Sequence, residues 1–135
     1  MSRDAAVLFA NDAFYLAFAT RDMAAMDDIW ARRAAVSCLH PGWAPLTGRD
    51  AVMESWRGIL GSPDSPQISC ANAQATVIGD VAVVVCGEIL AQGTLAATNV
   101  FAFEDGAWKM VHHHAAPAPP PETAAAGDDA PPTLQ

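Results

Sequence analysis

The chain has 135 residues, 52% of them hydrophobic, and its 15 acidic and 7 basic side chains give a formal net charge of −8. A chain of this length can form one domain that buries roughly two-thirds of its unfolded surface. Because nucleic acids and anionic membranes are bound through basic patches, a chain with so few Lys and Arg residues is not expected to have either as a partner.

The first half of the chain predicts three helices and one strand. Between residues 4–19, apolar side chains recur at spacings of three and four, which is typical of a helix with one buried stripe. Asp22 can cap a second, shorter helix that ends near Arg32. Residues 35–40 predict a strand, and residues 47–61 predict a third helix.

The second half predicts an antiparallel meander. Strands over residues 67–78, 81–91, 94–104 and 107–115 are separated by Gly79-Asp80, Gln92-Gly93 and Asp105-Gly106, pairs that suit two-residue hairpin turns. Residues 117–135 contain Pro, Ala, Gly and polar residues with little to bury. We therefore expect one domain over residues 1–116, followed by a disordered tail over residues 117–135.

The N-terminal residues and the cysteines indicate where the protein resides and whether it forms disulfides. Asp4 and Asp12 interrupt the first apolar run, and no apolar run reaches the ~20 residues that span a bilayer, so neither a signal peptide nor a membrane span is predicted. Cys38, Cys70 and Cys86 lack CxxC spacing, which favours three free thiols that pack in the core over disulfides or a zinc ribbon. We therefore expect a cytoplasmic protein.

The hairpin turns predict which side chains share a face of the sheet. If each turn contains two residues, the flanking residues pair, and paired side chains lie on one face. Counting back from the turns pairs Phe101 with Met110, Asn99 with His112 and Ala97 with His114. Glu88 is predicted to lie between Ala71 and Ala97, in one row with His114. The predicted inward face carries Val84, Cys86, Glu88, Asn99, Phe101, Met110, His112 and His114. His113 is predicted to face outward, on a flatter surface typical of a subunit contact. Gln92-Gly93 is an unusual sequence for such a turn, and a longer loop would move Glu88 relative to Asn99.

This order of elements resembles the nuclear transport factor 2-like superfamily, and more closely its SnoaL-like branch, over about residues 4–116. The residues that carry the resemblance are Phe14-Tyr15-Leu16-Ala17-Phe18 with Arg21-Asp22, Gly48-Arg49-Asp50-Ala51-Val52, Gly79-Asp80-Val81-Ala82-Val83-Val84, Thr98-Asn99-Val100-Phe101 and Asp105-Gly106-Ala107-Trp108-Lys109-Met110-Val111-His112. The resemblance implies an α+β fold in which a curved antiparallel sheet wraps around the helices to form a cone with an internal pocket. It also implies that two chains pair through their sheets. Such folds host isomerases, cyclases, dehydratases, hydrolases and modules that only bind, so the fold does not name the activity.

The candidate catalytic residues are Glu88, His112 and Asn99. Glu88 is a carboxylate in the middle of an inward-facing strand, where burial without a partner would cost several kcal/mol. A carboxylate beside an imidazole orients the ring and raises its pKa, which would suit His112 to act as a general base. Asn99 could donate to a substrate carbonyl or oxyanion. Alternatively, Glu88 closes a buried network with His114, Arg49 or Arg57, and Asn99 hydrogen-bonds a neighbouring loop.

The predicted ligand-binding residues come from three places. Trp30 and Trp56 lie on helix faces directed at the sheet, and His40 and Trp43 lie in a Pro-rich loop that can close over a pocket. The remaining ligand-binding candidates lie on the inward sheet face, and they are Val84, Cys86, Phe101, Met110 and His114.

A metal site is the alternative to this interpretation. His112 and His114 have the His-x-His spacing of some zinc enzymes, and His40 and Glu88 could add ligands. Because no second ligand pair is legible, neither a metal nor another cofactor is predicted.

These features together predict a homodimer that binds a small, largely apolar carbonyl compound. If it is an enzyme, the expected chemistry is cofactor-free proton abstraction by an isomerase, cyclase or dehydratase, with His112 or Glu88 as the base and Asn99 as the electrophilic partner. The alternative is a ligand-binding or dimerisation module without chemistry.

Overall fold

Three helices and six strands follow one another in residues 2–120, the part of the chain that this computed structural model describes. The helices are α1 (Arg3–Ala19), α2 (Met23–Ile29) and α3 (Arg49–Gly61), and the strands are β1 (Ser37–Leu39), β2 (Leu46–Thr47), β3 (Ser69–Ile78), β4 (Val81–Leu90), β5 (Gly93–Glu104) and β6 (Ala107–Pro117). The chain therefore has the predicted α+β fold. Strand β2 is an addition, since Leu46 precedes the predicted third helix and Thr47 was predicted to belong to it, whereas α3 begins at Arg49.

Local sequence explains where the helices begin. The side chains of Ser2 and Asp22 each accept a hydrogen bond from a backbone N–H in the first turn of α1 and α2. They satisfy N–H groups that an α-helix leaves without a partner. Helix α3 follows Gly48, whose φ of 91° is readily adopted only by glycine. Helix α2 ends at Ile29 rather than near Arg32, because Trp30 already has an extended backbone.

The six strands form one sheet in the order β2-β1-β6-β5-β4-β3. Strands β3 to β6 pair antiparallel with their sequence neighbours, which confirms the predicted meander. Strand β1 pairs with β6 in parallel, with Ser37 opposite His112. The curved sheet wraps around the helices and α1 packs against β3, so the core lies between them. The largest fully buried side chains are Trp30, Trp56, Phe14, Phe101, Met26 and Met110.

A β-bulge in β6 reverses the predicted orientation of the histidines. Phe101 pairs with Met110 as predicted, but Val100 pairs with His112, so Val111 is an additional residue on β6. An additional residue turns every later side chain of a strand to the other face. The predicted pair of Asn99 with His112 is therefore wrong, as is that of Ala97 with His114. His113 pairs with Asn99 on the inner face, and His112 and His114 point outward.

The β4–β5 turn also differs from the prediction. Leu90 pairs with Gly93, so the turn consists of Ala91 and Gln92, and the register of β4 on β5 shifts by two residues. Glu88 is therefore opposite Leu95 rather than Ala97. Because the shift is an even number of residues, each side chain keeps its predicted face.

A second bulge lies in β3, between Ala71 and Gln74, where Asn72 has a φ of 56°. As a result Cys70, rather than Ala71, is opposite Glu88.

The C-terminal strand continues past the predicted domain boundary. Strand β6 includes Pro117, and Ala118 exchanges two hydrogen bonds with Thr94, one through the Thr94 hydroxyl. Most of the predicted disordered tail, residues 121–135, lies outside the described residues. No helix within residues 2–120 combines the length and the apolar character needed to cross a bilayer.

Candidate functional site

A cavity of about 300 Å³ opens between α1, α3 and the inner face of the sheet. Most of its lining is apolar: Phe14, Phe18, Pro41, Trp43, Trp56, Ile59, Pro66, Ile68, Leu90 and Leu95. The polar lining residues are Tyr15, His40, Glu88 and His113, and no Lys or Arg within residues 2–120 lines the cavity. An apolar cavity with a few polar groups is typical of small-molecule sites.

Glu88 and His113 lie side by side at this cavity, on strands β4 and β6. Their side chains are almost fully buried, and His113 Nε2 is 3.9 Å from Glu88 Oε2. The same carboxylate oxygen accepts a hydrogen bond of 2.7 Å from the Tyr15 hydroxyl. Neither Arg49 nor Arg57 reaches Glu88, since Arg49 binds Asp27 and Arg57 binds Glu54. The partners of Glu88 are thus a phenol and an imidazole.

The hydrogen bonds around Asn99 assign the tautomer of His113. The Asn99 Nδ2 group donates to Asn11 Oδ1 at 2.9 Å and to the Tyr15 hydroxyl at 3.1 Å. Its Oδ1 can only accept, and it lies 2.6 Å from His113 Nδ1. His113 therefore carries its proton on Nδ1, and Nε2, which lies 3.9 Å from Glu88 Oε2, is unprotonated.

Burial favours the neutral form of each titratable group in this cluster. It raises the pKa of Glu88, although the Tyr15 hydrogen bond acts in the opposite direction. Burial, together with the nearby His40, lowers the pKa of His113 to about 3, and burial lowers that of His40 to about 4. The pKa of Tyr15 is raised by burial and by Glu88. Near neutral pH both imidazoles are therefore unprotonated, and Glu88 holds its proton up to a higher pH than a solvated glutamate does.

His40 is the second imidazole of the cavity, and it packs between two indoles. Its ring centroid is 4.8 Å from those of both Trp43 and Trp56. His40 Nε2 lies 2.9 Å from the Ser55 hydroxyl, which donates its own proton to the Val52 carbonyl. Nε2 must therefore be the donor, so Nδ1 of His40 is the unprotonated nitrogen. Because its proton is held by a helix carbonyl, Ser55 is poorly placed to act as a nucleophile.

Some predicted site residues do lie at the cavity. Glu88, His40, Trp43 and Trp56 all contribute to its lining. Asn99 lies beneath the cavity, and its carbonyl oxygen orients His113. Both of its N–H groups donate to protein partners. It is therefore not free to donate to a substrate.

Other predicted site residues lie elsewhere. The core buries five of them without placing them in the lining: Trp30, Val84, Cys86, Phe101 and Met110. His112 and His114 face away from the cavity, and His112 Nδ1 is instead 2.6 Å from the Ser37 hydroxyl. Their predicted inward orientation was wrong because of the bulge at Val111.

The sequence interpretation missed His113, Tyr15 and Asn11. Asn11 and Tyr15 are one turn apart on the buried face of α1, and polar residues inside an apolar helical stripe are a signal that a buried network is present. The orientation of His113 had no local signal.

A metal centre is not assembled from these side chains. Within residues 2–120, no three His, Cys, Asp or Glu residues come together as a metal ion would require. His112 and His114, the pair with zinc-like spacing, are separated from Glu88 by the sheet itself.

Two solved structures that are similar to this chain are bacterial. One is a candidate dehydratase of the NTF2-like family from Streptomyces avermitilis, with a TM-score of 0.77 and 31% identity, covering 84% of this chain and 95% of that one. The other is a candidate association domain of calcium/calmodulin-dependent protein kinase type II from Thiobacillus denitrificans, with a TM-score of 0.72 and 35% identity, covering 81% and 92%.

A curated relative comes from a plant. It is F-box protein SKIP8 of Arabidopsis thaliana, 27% identical over 109 residues, which are 79% of this chain and 47% of that protein. The chain thus spans about half the length of this relative. A family model for the SnoaL-like domain matches residues 7–120. With the α+β cone and its internal cavity, this match shows that the chain belongs to the SnoaL-like domain family, within the NTF2-like superfamily.

Proposed function

We propose that this chain binds a small, neutral, largely apolar molecule in the cavity and moves a proton on it with Glu88 and His113. The observation that carries the proposal is the buried carboxyl and imidazole, 3.9 Å apart, at an otherwise apolar cavity. Burying two ionisable groups costs several kcal/mol, which a purely structural core would avoid with apolar residues.

The lining restricts the class of ligand. With no Lys or Arg at the cavity, a carboxylate or phosphate would find no counter-charge and would meet Glu88 instead. Burial keeps His113 and His40 neutral, so they supply lone pairs rather than positive charge. A neutral carbonyl compound with an acidic C–H group, or a hydroxyl compound, fits both features.

The proposed chemistry starts from the assigned tautomer of His113. Nε2 takes a proton from the carbon next to the substrate carbonyl, while Asn99 Oδ1 accepts from Nδ1 and holds the ring in place. The Glu88 carboxylate stabilises the imidazolium that forms. The proton then returns to a different atom of the substrate, which is the common step of isomerases, cyclases and dehydratases. The 31% identity to a candidate dehydratase supports this class.

The test measures proton abstraction directly. Carbonyl compounds that raise the melting temperature are incubated with the protein in D₂O, and exchange of the C–H group next to the carbonyl is followed by NMR. We expect Glu88→Gln and His113→Gln to slow exchange by about 10²-fold or more, because general acid–base groups contribute about 10²–10⁴-fold. The exposed residues Glu54 and His114 provide matched controls, Glu54→Gln and His114→Gln, which should exchange like the wild type. Unchanged exchange in folded His113→Gln and Glu88→Gln would refute the proposal.

A second candidate function is a binding or dimerisation module without chemistry. The 35% identity to a candidate kinase association domain favours it. Ligand-induced stabilisation without any exchange would support this alternative.

A further inference from the structure

Two of the three cysteines lie together beneath helix α1. Cys70 on β3 and Cys86 on β4 both face the inner side of the sheet, and Cys70 is opposite Glu88, two residues beyond Cys86. The β3 bulge lies opposite Cys86. Gln74 pairs with Val85 and Ala71 pairs with Gly87, and the register shifts between these two pairs. Cys86 is buried, whereas Cys70 is half-buried on the edge strand of the sheet.

Each of the two sulfurs has a polar neighbour, although both side chains also pack in or against the hydrophobic core. The Cys86 Sγ atom is 3.3 Å from the Tyr15 hydroxyl, and the Cys70 Sγ atom is 3.7 Å from Asn11 Nδ2. Asn11 and Tyr15 are one turn apart on α1, so they bring their polar groups to neighbouring points. Each thiol also shifts the pKa of the other, which is raised for Cys70 and lowered for Cys86. The sequence-based interpretation of these cysteines as packing residues is therefore incomplete.

We propose that Cys70 and Cys86 form a redox-active dithiol that a small peroxide converts into an intramolecular disulfide. This dithiol borders the proposed acid–base site, since Tyr15 contacts both Cys86 and Glu88, but its oxidation uses neither Glu88 nor His113. The bulge on β3 leaves the ladder irregular beside both residues, so the strand can adjust to the geometry of the bond.

The contacts assign the roles of the two sulfurs. The neighbouring Cys70 thiol lowers the pKa of Cys86, although burial and Glu88 oppose it, and the pKa of Cys70 is raised. Cys86 is therefore the nucleophile, because the thiolate is the reactive form. Cys70 is the resolving thiol, and it is also the more exposed of the two, on the edge strand by which hydrogen peroxide would enter.

The reaction balances with one molecule of hydrogen peroxide. The Cys86 thiolate attacks one peroxide oxygen, the O–O bond breaks, and the departing hydroxide takes the proton that Cys86 lost, giving a sulfenic acid and water. The Cys70 sulfur then attacks the Cys86 sulfur, the S–O bond breaks, and the hydroxide released takes the Cys70 proton as a second water. Both sulfurs are oxidised by one electron each, and the peroxide is reduced to two waters.

Cys38 provides the matched control. It is fully buried on β1, with β5 and β6 between its strand and β4, so it cannot reach Cys86. Burial raises its pKa to about 12, which leaves it unreactive as a thiol.

The test counts thiols in the full chain. Reduced protein is treated with hydrogen peroxide, denatured and alkylated, and its mass is measured. We expect the alkylated cysteines to fall from three to one, and dithiothreitol to restore all three. Cleavage before Asp64 and Asp80 separates the two cysteines, so the disulfide appears as a linked pair of peptides.

The variants make the outcome decisive. Cys38→Ala should form the disulfide at the wild-type rate, whereas Cys70→Ala and Cys86→Ala should form none. Circular dichroism checks that each variant folds. If one of Cys70→Ala and Cys86→Ala does not fold, the other is enough for the test. Three alkylatable thiols after peroxide treatment that oxidises free cysteine would overturn the proposal. So would a linkage between chains, a linkage through Cys38, or the same thiol loss in Cys70→Ala.

Discussion

Asn99 holds the neutral imidazole of His113 in one tautomer. Its two N–H groups are both used by Asn11 and Tyr15, which leaves only the carbonyl oxygen for His113. That oxygen can accept but not donate, so Nδ1 keeps the proton and Nε2 stays available as a base. A single buried amide thus links helix α1 to the chemistry proposed for β6.

The low pKa of His113 predicts how stability depends on pH. An unfolded histidine has a pKa of about 6.5, whereas burial lowers that of folded His113 to about 3. Below pH 6.5 the unfolded chain therefore binds a proton that the folded chain does not. The free energy of unfolding should fall by about 1.4 kcal/mol per pH unit from this residue as the pH decreases from about 6 to 4. His40 acts in the same direction, and Glu88, whose folded pKa is raised, acts against both.

The contribution of His113 is isolated by comparing denaturant unfolding of the wild type and His113→Gln between pH 4 and 7. In the variant, the slope of the free energy of unfolding against pH should lack the contribution of about one proton, so its stability should fall less steeply towards pH 4. An equal loss in His114→Gln, which removes the exposed neighbour on β6, would contradict the assignment.

At the scale of elements, the bulge in β6 determines which histidine the cavity receives. Regular alternation along residues 107–115 predicts His112 and His114 inside, and one additional residue at Val111 reverses this. The bulge lies where β6 begins its parallel pairing with β1, through Ser37 and His112. Strand β1, which is distant from β6 in sequence, thus pairs with β6 next to the bulge, where the side chains of β6 change from one face to the other.

Arg49 joins two helices and is the element-scale test of stability. Its guanidinium donates to the carbonyls of Asp27, Trp30 and Ala31 at the end of α2, and it pairs with the Asp27 carboxylate. We expect Arg49→Met to lower the free energy of unfolding by about 2 to 3 kcal/mol, because it leaves partly buried carbonyls without donors.

The matched control is Arg57→Met on the same helix. Arg57 pairs only with exposed Glu54, and such surface pairs contribute about 0 to 1 kcal/mol. Equal destabilisation of the two variants in denaturant unfolding would show that Arg49 does not hold α2 in place.

At the scale of the whole molecule, the outer face of the sheet is the proposed dimer interface. Val81 and Val85 on β4 are 42% and 49% exposed there, and Val83 and Val100 lie half-buried beside them. A group of partly exposed valines on the outer face of a sheet suits an isologous contact between two copies of the chain.

We expect sedimentation velocity to show a dimer for the wild type and a monomer for Val85→Glu, which buries a charge in the proposed contact. Phe9→Glu changes a residue that is 68% exposed on α1, away from this face, and should stay dimeric. A monomeric wild type, or a dimer that survives Val85→Glu, would argue against this interface.

Much of the fold follows from local patterns along the chain. Helical spacing, capping by Asp22 and the turns at Gly79-Asp80 and Asp105-Gly106 predict the elements, because each is decided by residues close in sequence. The inward position of Glu88 also follows, since the error in the β4–β5 turn was an even number of residues.

The site itself depends on contacts between distant residues. Tyr15 and Glu88 are 73 residues apart in the chain, and Asn11 and Asn99 are 88 apart, so no local pattern pairs them. The parallel pairing of β1 with β6 and the bulge at Val111 likewise depend on the assembled sheet. The sequence by itself therefore determined the elements, their faces up to the bulge and the acidic, cation-poor character of the chain. Only the tertiary structure decided that His113 meets Glu88, because one extra residue in a strand exchanges its faces without leaving a mark in the local pattern.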